Sequence, residues 1–471
     1  MSPLPPLPPT PPDQPLPSDG QGLVALYDPG VIAYPEQTYE HLLARYGSLA
    51  PVVIAPGVPV WLALDFQRIT SICRTPHLWT RDTRAWRLWA EGRIGDQAEI
   101  LAMLSWRPNL LFAEEAEHGR LRRPVTDALK GLDVKWVAAR TGQVVQRLIA
   151  EFAADGHADL VGQYCRPLVR TMMGELFGLT PDSTRRLTDL VTRIWDGADA
   201  PTALGNLEHL LSGVIADRQR LLATGRRLPA DFTSALVSAP GLGSVEEMIQ
   251  TMVVTIGAGC EPTANLISSA VALSLTDPAV AAALADGEMQ LPDLLHFTLR
   301  QQPPITHYPG LVATRDNIYP GVRAGDLVLL GLAAAGLPTP ALHPMDPRGL
   351  HIGNRSGVGF GAGDHACPAQ HIALLIAHIA IAELRAALPG LSSQQRPQDL
   401  RHRQSVFARA LMDLPVTFTA QHAQRPAPAS RTSARQHPAT AASPPWQARR
   451  TTPSRPPSRL LRLPFMRRRS R

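Results

Sequence analysis

Lysine is almost missing from this chain of 471 residues: Lys130 and Lys135 are the only two, while arginine is abundant. Cysteine is scarce as well. Cys73, Cys165, Cys260 and Cys367 stand far apart with no C-x-x-C pair, which excludes a zinc-ligand pattern and a disulfide framework and fits a reducing compartment. No uninterrupted apolar run reaches the roughly 18 residues that a membrane-spanning helix needs. The opening MSPLPPLPPTPPDQPLPSDG has neither a basic nor an apolar region of the signal-peptide kind, so the expectation is a soluble, cytoplasmic protein. The net charge of +6 does not describe a basic fold. Residues 421–471 hold 12 arginines and no lysine or acid, so residues 1–420 carry a net −6. The body of the protein therefore lacks the net positive charge that nucleic-acid binding calls for.

What is present concentrates near the end, in Gly357–Ala373, GVGFGAGDHACPAQHIA. A Gly-rich irregular stretch leads to Cys367, and an apolar helical run follows at once, Ile372 to Leu384. A thiolate at a helix N-terminus is stabilised by the helix dipole and by free N–H groups. Gly361 and Gly363 suit left-handed turns and close backbone approach to a flat ligand. Pro368 fits a first helical turn and removes one donor to the sulfur. Two plainer readings stand beside this one. Gly357, Gly359 and Ala362 formally satisfy G-x-G-x-x-A, although a dinucleotide site needs a strand before it and a helix directly after. Alternatively, Cys367 is a small buried core residue.

Phe360-Gly361-x-Gly363-x-His365-x-Cys367, with Ala373 six residues on, resembles the haem-ligand loop of the cytochrome P450 family. Ala369 departs from the family's usual glycine and Ile372 from its usual leucine. The resemblance implies a mainly α fold with small β-sheets over residues 21–420, haem b bound through Cys367 as axial iron ligand, and a proton-assisted oxidation of a hydrophobic small molecule. It implies further that Phe360 shields the sulfur and that His365 donates to a haem propionate.

Two more stretches are read against that resemblance. His118 and Arg122 lie four apart in EEAEHGRLRRPVTDALK and share one helix face; the family uses such a pair on a propionate. Arg120 and Arg123 point elsewhere and suggest a basic surface for an acidic electron-transfer protein. The run Gly243–Leu273 is similar to the family's long distal helix, with Ala258-Gly259-Cys260-Glu261-Pro262-Thr263 where A-G-x-[DE]-T-T is usual. Gly259 would leave room in the distal space and Glu261 would relay protons. Pro262 replaces the alcohol, removes a helical N–H and favours a kink, and Thr263 substitutes only if it is turned inward. Phe297 stands where the family's E-x-x-R places its glutamate, so Arg300 is expected on carbonyls or Asp346, with Arg348 the candidate for the meander arginine. Leu311 stands where an arginine often meets the second propionate.

In the remaining chain, Pro35–Gly47 and the DFQRITSICRT stretch read as helices, Val52–Leu64 as two strands about a Pro-Gly turn, and Val137–Leu236 as helical by its apolar spacing. Pro309–Leu332 reads as a small sheet, and a terminal strand pair closes the domain before Thr419. Residues 1–20 and 421–471 read as disordered Pro-rich and basic Pro/Arg/Ser-rich arms. The arginine, alanine and proline bias suits a GC-rich genome such as an actinobacterium's. The phrases GAGCEPTANLI and ALMDLPVTF resemble the actinobacterial branch encoded beside small GTPase and Roadblock-type proteins. Three functions follow from the resemblance: a monooxygenase fed by a ferredoxin-type donor, a peroxide-driven oxidase on the same haem, or a non-catalytic haem-binding scaffold in a GTPase-linked complex.

Overall fold

The computed structural model describes residues 15–17, 19–95, 100–196, 199–337, 346 and 348–421. The two arms expected at the ends fall largely outside these residues. Leu16, inside the first expected arm, packs against the Trp61 and Trp79 cluster.

Nine helices of eleven or more residues stand among the described residues: α1 (Pro35–Tyr46), α2 (Glu115–Lys130), α3 (Val134–Phe152), α4 (Arg166–Leu176), α5 (Pro181–Asp196), α6 (Ala200–Ala223), α7 (Val245–Thr276), α8 (Leu291–Gln301) and α9 (Gln370–Ala387). Their limits have local causes. Helix α1 opens on Pro35, where a missing N–H costs nothing, and stops at Gly47 with φ 72°. Helix α7 begins where Ser244 accepts from the Glu247 N–H at 3.1 Å, with Glu246 and Glu247 in the positive first turn.

Among the described residues eight strands form two sheets: β1 (Val24–Ala25), β2 (Leu49–Ala55), β3 (Val58–Ala63), β4 (Trp79–Thr80), β5 (His157–Asp159), β6 (His307–Ala313), β7 (Leu327–Gly331) and β8 (Pro415–Thr417). Six of them pair in the order β1-β2-β3-β7-β6-β4, and β5 pairs with β8. The β2–β3 hairpin turns at Pro56-Gly57, as the sequence predicts. The terminal strand differs from expectation: β8 takes its main partner from His157–Asp159 rather than from its own neighbourhood. Both faces of the larger sheet are covered. Val60, Leu62, Leu327 and Leu329 face one cluster, and Trp61, Ala63, Val328 and Leu330 the other, so these strands read as continuous apolar runs.

The largest core lies among the helices, with the second half of α7 buried almost all round. Helix α9 alone among the described residues has the length and apolar composition of a membrane span. Here it packs against α3, α7 and α8 and serves as a core helix.

Candidate active site

The loop before α9, the middle of α7 and the inner face of α2 meet around one cavity of about 320 Å³, walled mainly by apolar side chains. Cys367, Phe360, Gly361 and His365 line it from the loop side. Gly361 and Gly363 take φ of 74° and 67°, and a Cβ on Gly363 would stand 2.7 Å from the Cys73 carbonyl oxygen. Glycine is required there on both counts. The Gly361 N–H donates to the Val358 oxygen at 2.7 Å and the Cys367 N–H to the Phe360 oxygen at 2.8 Å, so the loop is held by its own backbone. Helix α9 starts at Gln370, which leaves Pro368 just outside the first turn. The Ala369 and Gln370 N–H groups donate to the Cys367 sulfur. Burial pushes the thiol pKa up, while those two donors and the Arg122 charge pull it down.

From α2, His118 lies buried and stacks on His365 with ring centroids 3.8 Å apart. Arg122 lines the cavity and donates to the Ala366 carbonyl at 2.5 Å. The pair therefore shares one face, as the spacing implies. His365 is pushed down to about 2 by burial first and then by the charges of Arg81, His118 and Arg122. His118 is lowered for the same reasons, and its Nε2 has no hydrogen-bond partner among the described residues. Asp364 opposes this lowering at His118, and Cys367, Tyr308 and Asp364 oppose it at Arg122. Arg120, expected on a basic surface, is instead neutralised by Glu117 at 2.5 Å and Glu247 at 2.6 Å. Arg123 stays exposed beside Asp127.

Helix α7 runs through Pro262 without a break. Thr255, Ala258, Gly259, Pro262, Thr263 and Leu266 line the cavity, the three-and-four spacing of a single face. Thr263 is thus turned inward, which the sequence left conditional. Glu261 lies off that face: it is buried, absent from the cavity wall, and ion-paired with Arg403. The space beside Gly259 is filled by the Met173 thioether, since a Cβ there would meet its methyl group at 2.6 Å.

On α8, Phe297 is buried and Arg300 turns to main-chain oxygens, donating to Asn354, to Leu350 at 3.2 Å and to His351 at 3.4 Å. Of the two expected partners the carbonyls hold it. Asp346 instead accepts the N–H groups of Arg348 and His351, which fixes the left-handed His351 at φ 45°. Arg348 does not join Arg300; it pairs with Glu288 at 2.8 Å on the surface.

Two arginines escaped the sequence reading. Arg81 is buried, sits over the Tyr308 ring at 5.7 Å, and forms no ion pair among the described residues. The register Trp79↔Ala313 and Thr80↔Val312 brings it beside Leu311. Arg107 lines the cavity from the stretch after Leu101–Leu104. Neither belongs to a spaced motif; only pairing across distant segments reveals them.

An apolar cavity, a single thiol fed by helix N–H donors, and the charges of Arg81 and Arg122 beside an orphaned His118 nitrogen suit a flat, dianionic iron macrocycle. Comparison with known proteins agrees. No protein-family model matches the chain. The cytochrome P450 monooxygenase PikC of Streptomyces venezuelae is 30% identical over 400 residues, covering 82% of this chain and 91% of its own. Cytochrome P450 CYP107DY1 of Priestia megaterium is 28% identical over 373 residues, covering 76% and 90%. The solved structure of CYP154A1 from Streptomyces coelicolor A3(2) superposes with a TM-score of 0.73 at 25% identity, covering 84% of this chain and 100% of that one. The chain belongs to the cytochrome P450 family, as a haem-containing oxidoreductase of the monooxygenase type.

Proposed function

We propose that this chain binds haem b through Cys367 and inserts one oxygen atom of O₂ into a hydrophobic small molecule, with electrons from a ferredoxin-type donor. The observation that carries the reading is the opposition of Cys367 to Ala258, Gly259 and Thr263 across one apolar cavity. A thiolate-held haem supplies the activation of dioxygen when bound. The chain's own residues do the rest. The N–H groups of Ala369 and Gln370 hold the Cys367 sulfur toward the cavity. His118, Arg122 and His365 take the propionates, and Arg81 supplies beside Leu311 the positive charge that the family often places at that position. Phe360 and the other apolar walls exclude water, which strengthens every charge interaction inside. Thr263 presents the hydroxyl nearest the distal space. Glu261, ion-paired with Arg403 off the cavity wall, is the acid that supplies protons to the distal side.

The test is the carbon-monoxide difference spectrum of the dithionite-reduced protein beside Cys367→Ala. A red-shifted Soret band in the wild type, lost in the variant, is the expected result; an unchanged spectrum in the variant would remove Cys367 from the iron. Glu261's place off the cavity wall favours a second reading, peroxide-driven oxidation, in which a distal acid matters less. Turnover with peroxide exceeding turnover with reduced ferredoxin would select it. The finer partner reading, small GTPase and Roadblock-type proteins, draws on Phe297 in place of the glutamate. The domain layout is residues 21–420 as the haem domain between two arms.

A further inference from the structure

Arg107 stands on the cavity wall beside Asn109, Leu110 and Phe112. Its guanidinium makes no hydrogen bond or ion pair among the described residues. The acid whose field reaches it is Glu208 on α6, but that carboxylate accepts from the Gln250 side chain at 2.8 Å rather than from Arg107. Burial lowers the Arg107 pKa from its ordinary value, and the Glu208 charge opposes that fall. A guanidinium keeps its charge under these conditions and offers five N–H donors in a fixed fork.

Other charged groups on that wall are already engaged. Arg122 bonds the Ala366 carbonyl and His365 stacks on His118. Arg107 belongs to a different part of the cavity. The short helix Leu101–Leu104 that precedes it packs on α6, and Glu208 is tied to Gln250, nine residues before Gly259 on α7. Nine residues of α-helix span about 13 Å. A half-buried cation without a hydrogen-bond partner among the described residues therefore lines the wall of an apolar cavity, well along α7 from the segment opposite Cys367.

We propose that Arg107 anchors a carboxylate on the substrate, so that the molecules this site takes are amphipathic: a carboxylate at the Arg107 end and an apolar body reaching along α7 toward Gly259 and Thr263. This deepens the monooxygenase reading and rests on it. A carboxylate matches the planar fork in a bidentate way, and a water-excluded setting strengthens the pair.

The test uses the purified haem-loaded protein and two probes of equal chain length, dodecanoate and dodecan-1-ol, with affinities measured by calorimetry. The wild type is expected to bind the acid at least about tenfold more tightly than the alcohol, ~1.4 kcal/mol. In Arg107→Gln the two affinities become equal, and Arg107→Lys keeps part of the preference because it keeps the charge. Equal affinities in the wild type, absence of dodecanoate binding, or an undiminished preference in Arg107→Gln would overturn the anchor. The carbon-monoxide spectrum of the same samples separates the two ideas. A normal thiolate spectrum without carboxylate preference sinks the anchor alone, whereas a preference without thiolate-held haem leaves the anchor and sinks the monooxygenase.

Discussion

Leu311 and Arg81 show how a single position can be exchanged across a sheet. Leu311 is buried in the Trp79 cluster on β6, where a cation would be costly without a partner. The antiparallel register of β4 against β6 sets Arg81 beside it, and the Arg81 charge is felt at His118, His365, Tyr308 and Cys73. The strand is pinned at this point. Thr80 Oγ1 and the Arg81 N–H both donate to the Glu114 carboxylate, at 2.9 and 2.8 Å, just where α2 begins. Replacing Arg81 by Ala should speed haem loss to a large excess of apomyoglobin by roughly 10- to 100-fold, the equivalent of one charge-assisted hydrogen bond of about 1.5–3 kcal/mol. The exposed Arg123→Ala serves as control. Equal loss rates in the two variants would show that Arg81 does not hold the cofactor. Arg81 was illegible in the sequence because its meaning depends on residues more than two hundred positions away. Cys367 was legible because its requirements are local: two left-handed glycines, a free thiol and a helix directly after.

Among elements, α7 and α8 both depart from the family's pattern, and each departure is accommodated by packing. In α7 the spacing of Ala258, Gly259, Pro262 and Thr263 puts a hydroxyl on the cavity wall despite the missing N–H of Pro262. The same spacing carries Glu261 round to Arg403, a partner more than a hundred positions on in the chain and invisible to any reading of the helix alone. In α8, Phe297 joins the helical core and Arg300 turns to three carbonyl oxygens in the stretch after β7. The expected glutamate is replaced by main chain. Arg300→Ala leaves those oxygens unpaired and should lower the unfolding free energy by about 2–3 kcal/mol in denaturant titration. Arg348→Ala, which removes only a surface contact with Glu288, should leave it unchanged. The reverse ranking would restore Arg348 to the internal network that the sequence suggests.

On the scale of the molecule, distant segments are locked together by buried polar groups as well as by apolar cores. His307 on β6 is 3% exposed. Its Nδ1 donates to the Val406 carbonyl at 2.5 Å, and its Nε2 accepts from the Tyr39 hydroxyl of α1 at 2.9 Å. The neutral ring is fully satisfied, and burial holds its pKa down to about 4. In the unfolded chain the ring takes a proton near pH 6.5. The stabilisation is therefore complete above about pH 6.5 and is lost as pH falls toward 4, because the unfolded state binds the proton first. Between pH 7 and pH 5 the unfolding free energy should fall by about 2 kcal/mol on this account. Denaturant titrations at both pH values should show a shallower fall in His307→Gln, and identical falls in both proteins would assign the acid sensitivity elsewhere. The sequence by itself determined the Gly-rich loop around Cys367, the long helices, the β2–β3 hairpin and the shared face of His118 and Arg122, because these follow from backbone freedom, apolar period and short spacing. Tertiary structure alone decided that Arg120 is neutralised, that Glu261 belongs to Arg403, that Arg300 rests on carbonyls, and that Arg81 and Arg107 bring unpaired positive charge to the site. Each of those outcomes is a contest between partners remote in the chain, settled by which of them the fold brings within reach.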